Sequence, residues 1–147
     1  MRILVPVILA VLVPAVAAAQ TTNLPSGRDV FDKSCITCHF EHRDPARMSE
    51  MVAPPMDMMA AHLRQAVSGD RAAFILRLTR YIKAPTAEAA VDTMAIQRFG
   101  LMPSIHDTFP DMTDSELDAV AGWIYDYYAD AQLPAAGQRQ MGRKPSQ

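Results

Sequence analysis

The 147-residue sequence contains only two cysteines and no dominant charge. Lysine and arginine number 14 against 16 acidic residues, and the sequence has no concentrated basic segment of the kind that a nucleic-acid interface requires. Neither cysteine stands at the end of the amino-terminal apolar run, which argues against a lipid-anchored product. No internal repeat occurs. We therefore expect one domain of ordinary size without a nucleic-acid partner.

The one long hydrophobic run lies at the amino terminus. A charged residue, an apolar run over residues 3–16 and a small-residue stretch ending at Ala19 predict a signal peptide over residues 1–19. The alternative is a membrane anchor, which is disfavoured because Pro6 and Pro14 interrupt a run shorter than the roughly 20 residues that cross a bilayer. We expect export to the periplasm, with no transmembrane anchor after cleavage.

The two cysteines lie three residues apart, and a histidine directly follows the second, in the order Cys35, Ile36, Thr37, Cys38, His39. This spacing is typical of the attachment site of c-type haem. Residues three apart on a helical turn share a face, so both thiols could bond one edge of a porphyrin while His39 binds the iron. Since the motif occurs once, it predicts a single covalent haem c.

Three other interpretations of the cysteine pair remain open. A thioredoxin-like redox pair expects a neighbouring strand–helix–strand pattern, and none flanks the motif. A zinc site could use both thiols with His39 and His42, although structural zinc sites usually take their second ligand pair from further along the chain. A simple disulfide is compatible with an oxidising compartment. The haem interpretation is favoured because other features of a haem pocket follow in the sequence.

The residues before the motif form a recognisable helix start. Ser26 can act as the N-cap, and Gly27, Phe31 and Cys35 then fall four residues apart on one face. The segment over residues 27–39 resembles the opening helix of class I cytochromes c, the small all-α electron carriers. The resemblance implies that the glycine lets the last helix cross closely while the aromatic ring packs at the haem edge.

A proline-rich segment follows. The six residues that end at Met56 resemble the family's short Gly-Pro-x-Leu segment, although Ala53 replaces the glycine and Pro55 is inserted. By this resemblance the Pro54 carbonyl would accept a hydrogen bond from His39, and Met56 would line the haem pocket. The alternative is a rigid connector that does not contact the haem.

Met102 is the candidate for the second iron ligand. Together with Pro103 it precedes a final helix, and the segment over residues 98–104 resembles the distal-ligand loop of class I cytochromes c. A thioether favours ferrous iron and raises the reduction potential, and proline stiffens the loop. Phe99 and the glycine after it lie near the start of this segment, which also resembles a subgroup of exported monohaem cytochromes of sulfur-oxidising and respiratory bacteria. The resemblance makes Phe99 a further cofactor-binding candidate.

Other residues could take the place of Met102. His62 and His106 are alternative sixth ligands. Methionine is also a common core residue, so several others are possible core fillers. These are Met51, Met56, Met58, Met59, Met94 and Met112.

Three further helices are expected. One covers residues 58–67, and a second ends near Ala84, because a proline disfavours helix in the residue before it. A capping box that starts at Thr113 begins the last. Its expected buried stripe consists of Leu117, Val120, Ile124 and Tyr128. In the family an aromatic of this helix packs against the glycine of the first helix, which here implies Trp123 against Gly27.

The sequence thus predicts an all-α fold, a small cytochrome c-like bundle of three to five helices around one covalently attached haem. The domain would span residues 20–133, followed by a disordered tail over 134–147. The resemblance implies a soluble one-electron carrier without enzymatic activity, which exchanges electrons with unidentified redox protein partners of respiration or sulfur oxidation. The alternatives are a haem enzyme or a gas or redox sensor, with an open or histidine-ligated sixth position, and a haem subunit of a larger dehydrogenase.

Overall fold

The computed structural model describes residues 25–134 of the chain. Over that range the protein is helical and contains no strand, which confirms the all-α class. The helices are α1 (Gly27–Ser34), a short 3-10 helix (Pro45–Arg47), α2 (Met56–Ala66), α3 (Arg71–Lys83), α4 (Thr93–Phe99), α5 (Ile105–Thr108) and α6 (Asp114–Tyr127). Six α-helices in this part of the chain exceed the predicted three to five. The predicted signal peptide, and all of the predicted tail except Pro134, lie outside the described residues.

The predicted helix boundaries depend on residues that cap or stop a helix. Ser26 and Asp29 form a capping box at the start of α1, and Thr113 and Glu116 form another at the start of α6. Helix α3 ends at Lys83, two residues before a proline, as expected. None of the helices over residues 25–134 is long and apolar enough to cross a membrane.

Helices α1 and α6 cross in close contact, and Gly27 allows the approach. A Cβ atom at Gly27 would overlap the backbone carbonyl oxygen of Ala119 and the Cβ of Trp123. The ring of Phe31 packs 4.8 Å, centroid to centroid, from that of Trp123. The contact that the sequence suggested between the glycine, the aromatic ring and the last helix is therefore present.

The core lies between α1, α2, α3 and α6. All four residues of the predicted α6 stripe are buried. Met51 and Met56 are buried too, and Met59 and Met112 pack against the core. The suggestion that Met94 fills the core was wrong, because it lies on the outer face of α4 and is 53% exposed.

Two helices near Met102 were not predicted. Asp92 caps α4, where its carboxylate accepts hydrogen bonds from the backbone N–H groups of Met94 and Ala95 at 2.9 and 3.2 Å. Ser104 caps α5. Between them, residues 100–104 are not helical, since Gly100 ends α4 with a φ of 83°. Met102 therefore lies in a short loop held between two capped helices.

Candidate cofactor site

An open cavity with a volume of about 230 Å³ lies between the end of α1, helix α3 and the loop that carries Met102. Its wall is formed mainly by apolar side chains, and every α-helix of the described range contributes at least one residue to it. All seven residues that the sequence singled out as cofactor-binding contribute to this wall. They are Cys35, Cys38, His39, Pro54, Met56, Phe99 and Met102. The fold thus gathers three separate sequence segments around one space.

The cysteine motif forms a helical turn directly after α1. The N–H of Cys35 donates to the carbonyl of Phe31 at 2.9 Å, and the N–H of His39 donates to the carbonyl of Cys35 at 2.9 Å. Cys35 is half-buried, Cys38 is exposed, and both are free thiols. The turn therefore places both sulfur atoms and the imidazole along one cavity.

Burial raises the pKa of the Cys35 thiol, and the nearby Ser34 hydroxyl opposes this only in part. Reactive redox cysteines instead have lowered pKa values, since the thiolate is the nucleophile. The raised pKa, together with the lack of any strand in residues 25–134, argues against the thioredoxin-like interpretation.

His39 is oriented by a single backbone group. Its Nδ1 lies 2.7 Å from the carbonyl oxygen of Pro54. Because a carbonyl can only accept, Nδ1 carries the proton, and the lone pair of the neutral ring is on Nε2. Burial lowers the pKa of His39, although the bond to Pro54 opposes that shift. A neutral imidazole with a free Nε2 is the form that ligates a metal.

Backbone hydrogen bonds fix the position of the Pro54 carbonyl. The N–H of Met56 donates to the carbonyl of Phe40 at 2.7 Å, and the N–H of Asp57 donates to that of Glu41 at 3.2 Å. These bonds tie the start of α2 to the residues just after His39. The proline-rich segment is therefore held against the motif, as the resemblance implies for a segment that orients His39.

Contacts to α3 anchor the Met102 loop. The hydroxyl of Ser104 donates to the carbonyl of Lys83 at 2.7 Å. Lys83 in turn links α3 to α6, because its ammonium group lies 2.6 Å from the carboxylate of Asp114. Proline at position 103 further restricts the backbone. Met102 is half-buried and faces the same cavity as His39.

The two alternative histidine ligands lie elsewhere. Neither His62 nor His106 contributes to the cavity wall. His42, the fourth residue of the zinc interpretation, is an exposed side chain whose Nδ1 is 3.8 Å from a carboxylate oxygen of Asp57. Among residues 25–134, no three or more His, Cys, Asp or Glu side chains converge on a possible metal site. The proposed zinc ligands are therefore not assembled.

Several wall residues were missed from the sequence. Tyr81 and Ile82 of α3 belong to the wall, as do Asp92 and two α5 residues, Ile105 and Thr108. From the sequence, the α3 residues were predicted only to lie in the core. Helical spacing identifies the buried face of a helix, but it does not distinguish residues that line a cavity from residues that are fully packed. The capping positions of Asp92 and Ser104 were the available signals for α4 and α5.

No protein-family model, curated protein or solved structure matches this chain. The assignment of the site therefore depends on its own residues and their geometry. Its polar residues are few, and its nitrogen and sulfur donors are the His39 imidazole, the two thiols and the thioethers of three methionines, Met56, Met59 and Met102.

Proposed function

We propose that the chain binds one haem c through thioether bonds at Cys35 and Cys38, with His39 and Met102 as axial iron ligands, and that it carries single electrons between redox proteins. One observation carries the proposal: these four residues, from segments far apart in the sequence, line the same apolar cavity. These residues fit haem c, because they include two thiols at the spacing of an attachment site, a neutral imidazole and a thioether.

The protein's own groups would position and tune this cofactor. Pro54 would hold the His39 ring and make it a stronger donor, because its carbonyl accepts the Nδ1 proton. The thioether of Met102 would favour the ferrous state. The apolar wall would limit the access of water. When bound, haem supplies reversible one-electron chemistry at its iron.

The ligand pair favours a carrier over an enzyme or a gas sensor. With His39 and Met102 both bound, the iron would have no open position for a substrate. A sensor with a histidine at the sixth position would need His62 or His106, and neither lies in the wall. Residues 27–39 and 98–104 resemble segments of class I cytochromes c, and we therefore propose that the helices form a cytochrome c-like bundle. Its characteristic contact would be the crossing of α1 and α6 at Gly27.

We also propose that the protein acts in the periplasm. The signal peptide predicted over residues 1–19 would export it, and thioether attachment belongs to an extracytoplasmic compartment. Its donor and acceptor would be other redox proteins.

The visible spectrum of the purified, exported protein tests the ligand assignment. We expect low-spin ferric haem with a weak band at the red end from sulfur bound to iron, together with a sharp ferrous spectrum. A high-spin ferric spectrum would instead favour an open sixth position, and with it the enzyme or sensor. Gel filtration of the native material would distinguish a free carrier from a subunit of a larger dehydrogenase.

A further inference from the structure

A carboxylate in the cavity wall is paired with a histidine that lies behind the wall. Asp92 belongs to the wall, and its Oδ2 is 3.3 Å from Nε2 of His62 on α2. The two side chains are 20% and 18% exposed, so their interaction is only weakly screened by solvent. His62 does not line the cavity. Asp92 therefore lies in the cavity wall and also contacts His62, whose side chain is partly exposed to water.

The position of Asp92 does not depend on His62. Its Oδ1 accepts hydrogen bonds from the backbone N–H groups of Met94 and Ala95, which start α4. A negative charge at a helix N-terminus is favourable. The carboxylate is therefore held in place whether or not the imidazole is protonated, and protonation changes the net charge of the pair rather than its geometry.

Other ionisable groups occur on the elements around the pair. Tyr81 of α3 shares the cavity wall with Asp92, and Arg77 of α3 lines a small adjoining cavity with Val91. Arg98 of α4 donates to the carbonyl of Met48 at 2.9 Å. Among ionisable side chains, histidine is the one whose ordinary pKa lies closest to neutral pH. His62 is the imidazole that faces Asp92, and it is therefore the group of this pair that we consider as a proton acceptor.

We propose that His62 is a proton-binding site coupled to the redox state of the cofactor, so that electron uptake is accompanied by proton uptake. This inference rests on the proposed function. Because the coupling is partial, only a fraction of the molecules take up a proton on reduction. In each of these, the ferric protein with neutral His62 gains one electron from its redox donor and one proton from the solvent. The product is the ferrous protein with protonated His62. The only bond formed is an N–H bond on the imidazole ring, and none is broken in the protein.

The direction of the coupling follows from charge. With His62 neutral, the Asp92 carboxylate is uncompensated and favours the more positive ferric state. Protonated His62 compensates that charge and favours the ferrous state. By linkage, reduction must tighten proton binding by the same factor by which protonation favours reduction. We expect a factor of about three, so the potential should fall by roughly 30 mV as pH rises through the His62 titration, at 59 mV per tenfold change.

Redox titration of the holoprotein between pH 5 and 8 tests this coupling. The variants are His62→Gln, which cannot titrate, and Asp92→Asn, which keeps a capping side chain but loses the charge. We expect His62→Gln to lose the His62 component of the pH dependence. Asp92→Asn should keep that component, because the imidazole still gains a charge, and should raise the potential above that of wild type, because the carboxylate that favours ferric iron is gone. The control Glu88→Gln removes an exposed carboxylate from the segment before α4 and should keep the wild-type profile. Titration of the haem propionates would contribute equally to all four proteins.

A second measurement needs no substitution. NMR titration of the His62 ring in the ferric and ferrous wild-type protein should show about threefold tighter proton binding in the ferrous state. Equal affinities in the two states, or the same potential profile in wild type and His62→Gln, would overturn the coupling while leaving the electron carrier intact. Purification of the protein without any haem would contradict both the proposed function and this inference.

Discussion

Replacing Met102 with alanine is expected to abolish the sulfur-to-iron band of the ferric protein, to lower the reduction potential and to let the ferrous protein bind carbon monoxide. The reason is that truncation removes a soft donor that favours ferrous iron and leaves a coordination position for an external ligand. The structure supports this choice, because Met102 lies in an anchored loop that faces the cavity of His39. Absorption spectroscopy and redox titration measure all three effects.

Two methionines serve as controls for Met102→Ala. Met94 is 53% exposed and Met112 packs against the core, and neither contributes to the cavity wall. Met94→Ala should change nothing, and Met112→Ala should lower stability yet keep the band. If Met102 only packs, its truncation would cost about 2 to 5 kcal/mol and leave the spectrum unchanged. An unchanged band in Met102→Ala would therefore rule out Met102 as the ligand. Loss of the band in one of the control variants would show that the methionine replaced in that variant is the ligand.

The double variant Cys35→Ala/Cys38→Ala is expected to accumulate without covalent haem and to unfold without a cooperative thermal transition. Met56 and Ile124 belong both to the core and to the cavity wall, so part of the core would pack directly on the cofactor. Losing the cofactor would remove those contacts, and metal-centre binding generally couples to folding. Near-ultraviolet circular dichroism during heating measures the transition.

Thr37→Ala is the matched control for the cysteine variant, since Thr37 lies between the two thiols and its hydroxyl donates to the Ser34 carbonyl at 3.2 Å. This change should preserve covalent haem and the transition. A haem-free double variant that melts as sharply as the holoprotein would show that the fold does not require the cofactor.

The parts of the fold that sequence could predict are those set by local chemistry. Ser26 and Thr113 cap their helices through side chains only three residues from their partners, and Pro85 acts on the residue beside it. Such rules operate within one turn of helix. The short spacing of Cys35, Cys38 and His39 likewise predicts their arrangement, because residues so close in sequence lie on one helical turn whatever the tertiary contacts.

The parts that could not be predicted depend on contacts between distant segments. The pairing of His62 with Asp92 joins α2 to the start of α4, and nothing near either residue indicates it. Helices α4 and α5 are short, so each offered only one capping residue as a signal. Whether a methionine is exposed, as Met94 is, depends on which helix face meets the core, and methionine itself suits either environment.

The mass of the intact, exported wild-type protein tests the central claim most directly. The proposal predicts the mass of the chain after signal-peptide cleavage plus one haem, and the adduct should survive denaturation because two thioether bonds hold it. A single species at the mass of the polypeptide alone, with Cys35 and Cys38 as free thiols or joined in a disulfide, would contradict the haem assignment and everything derived from it.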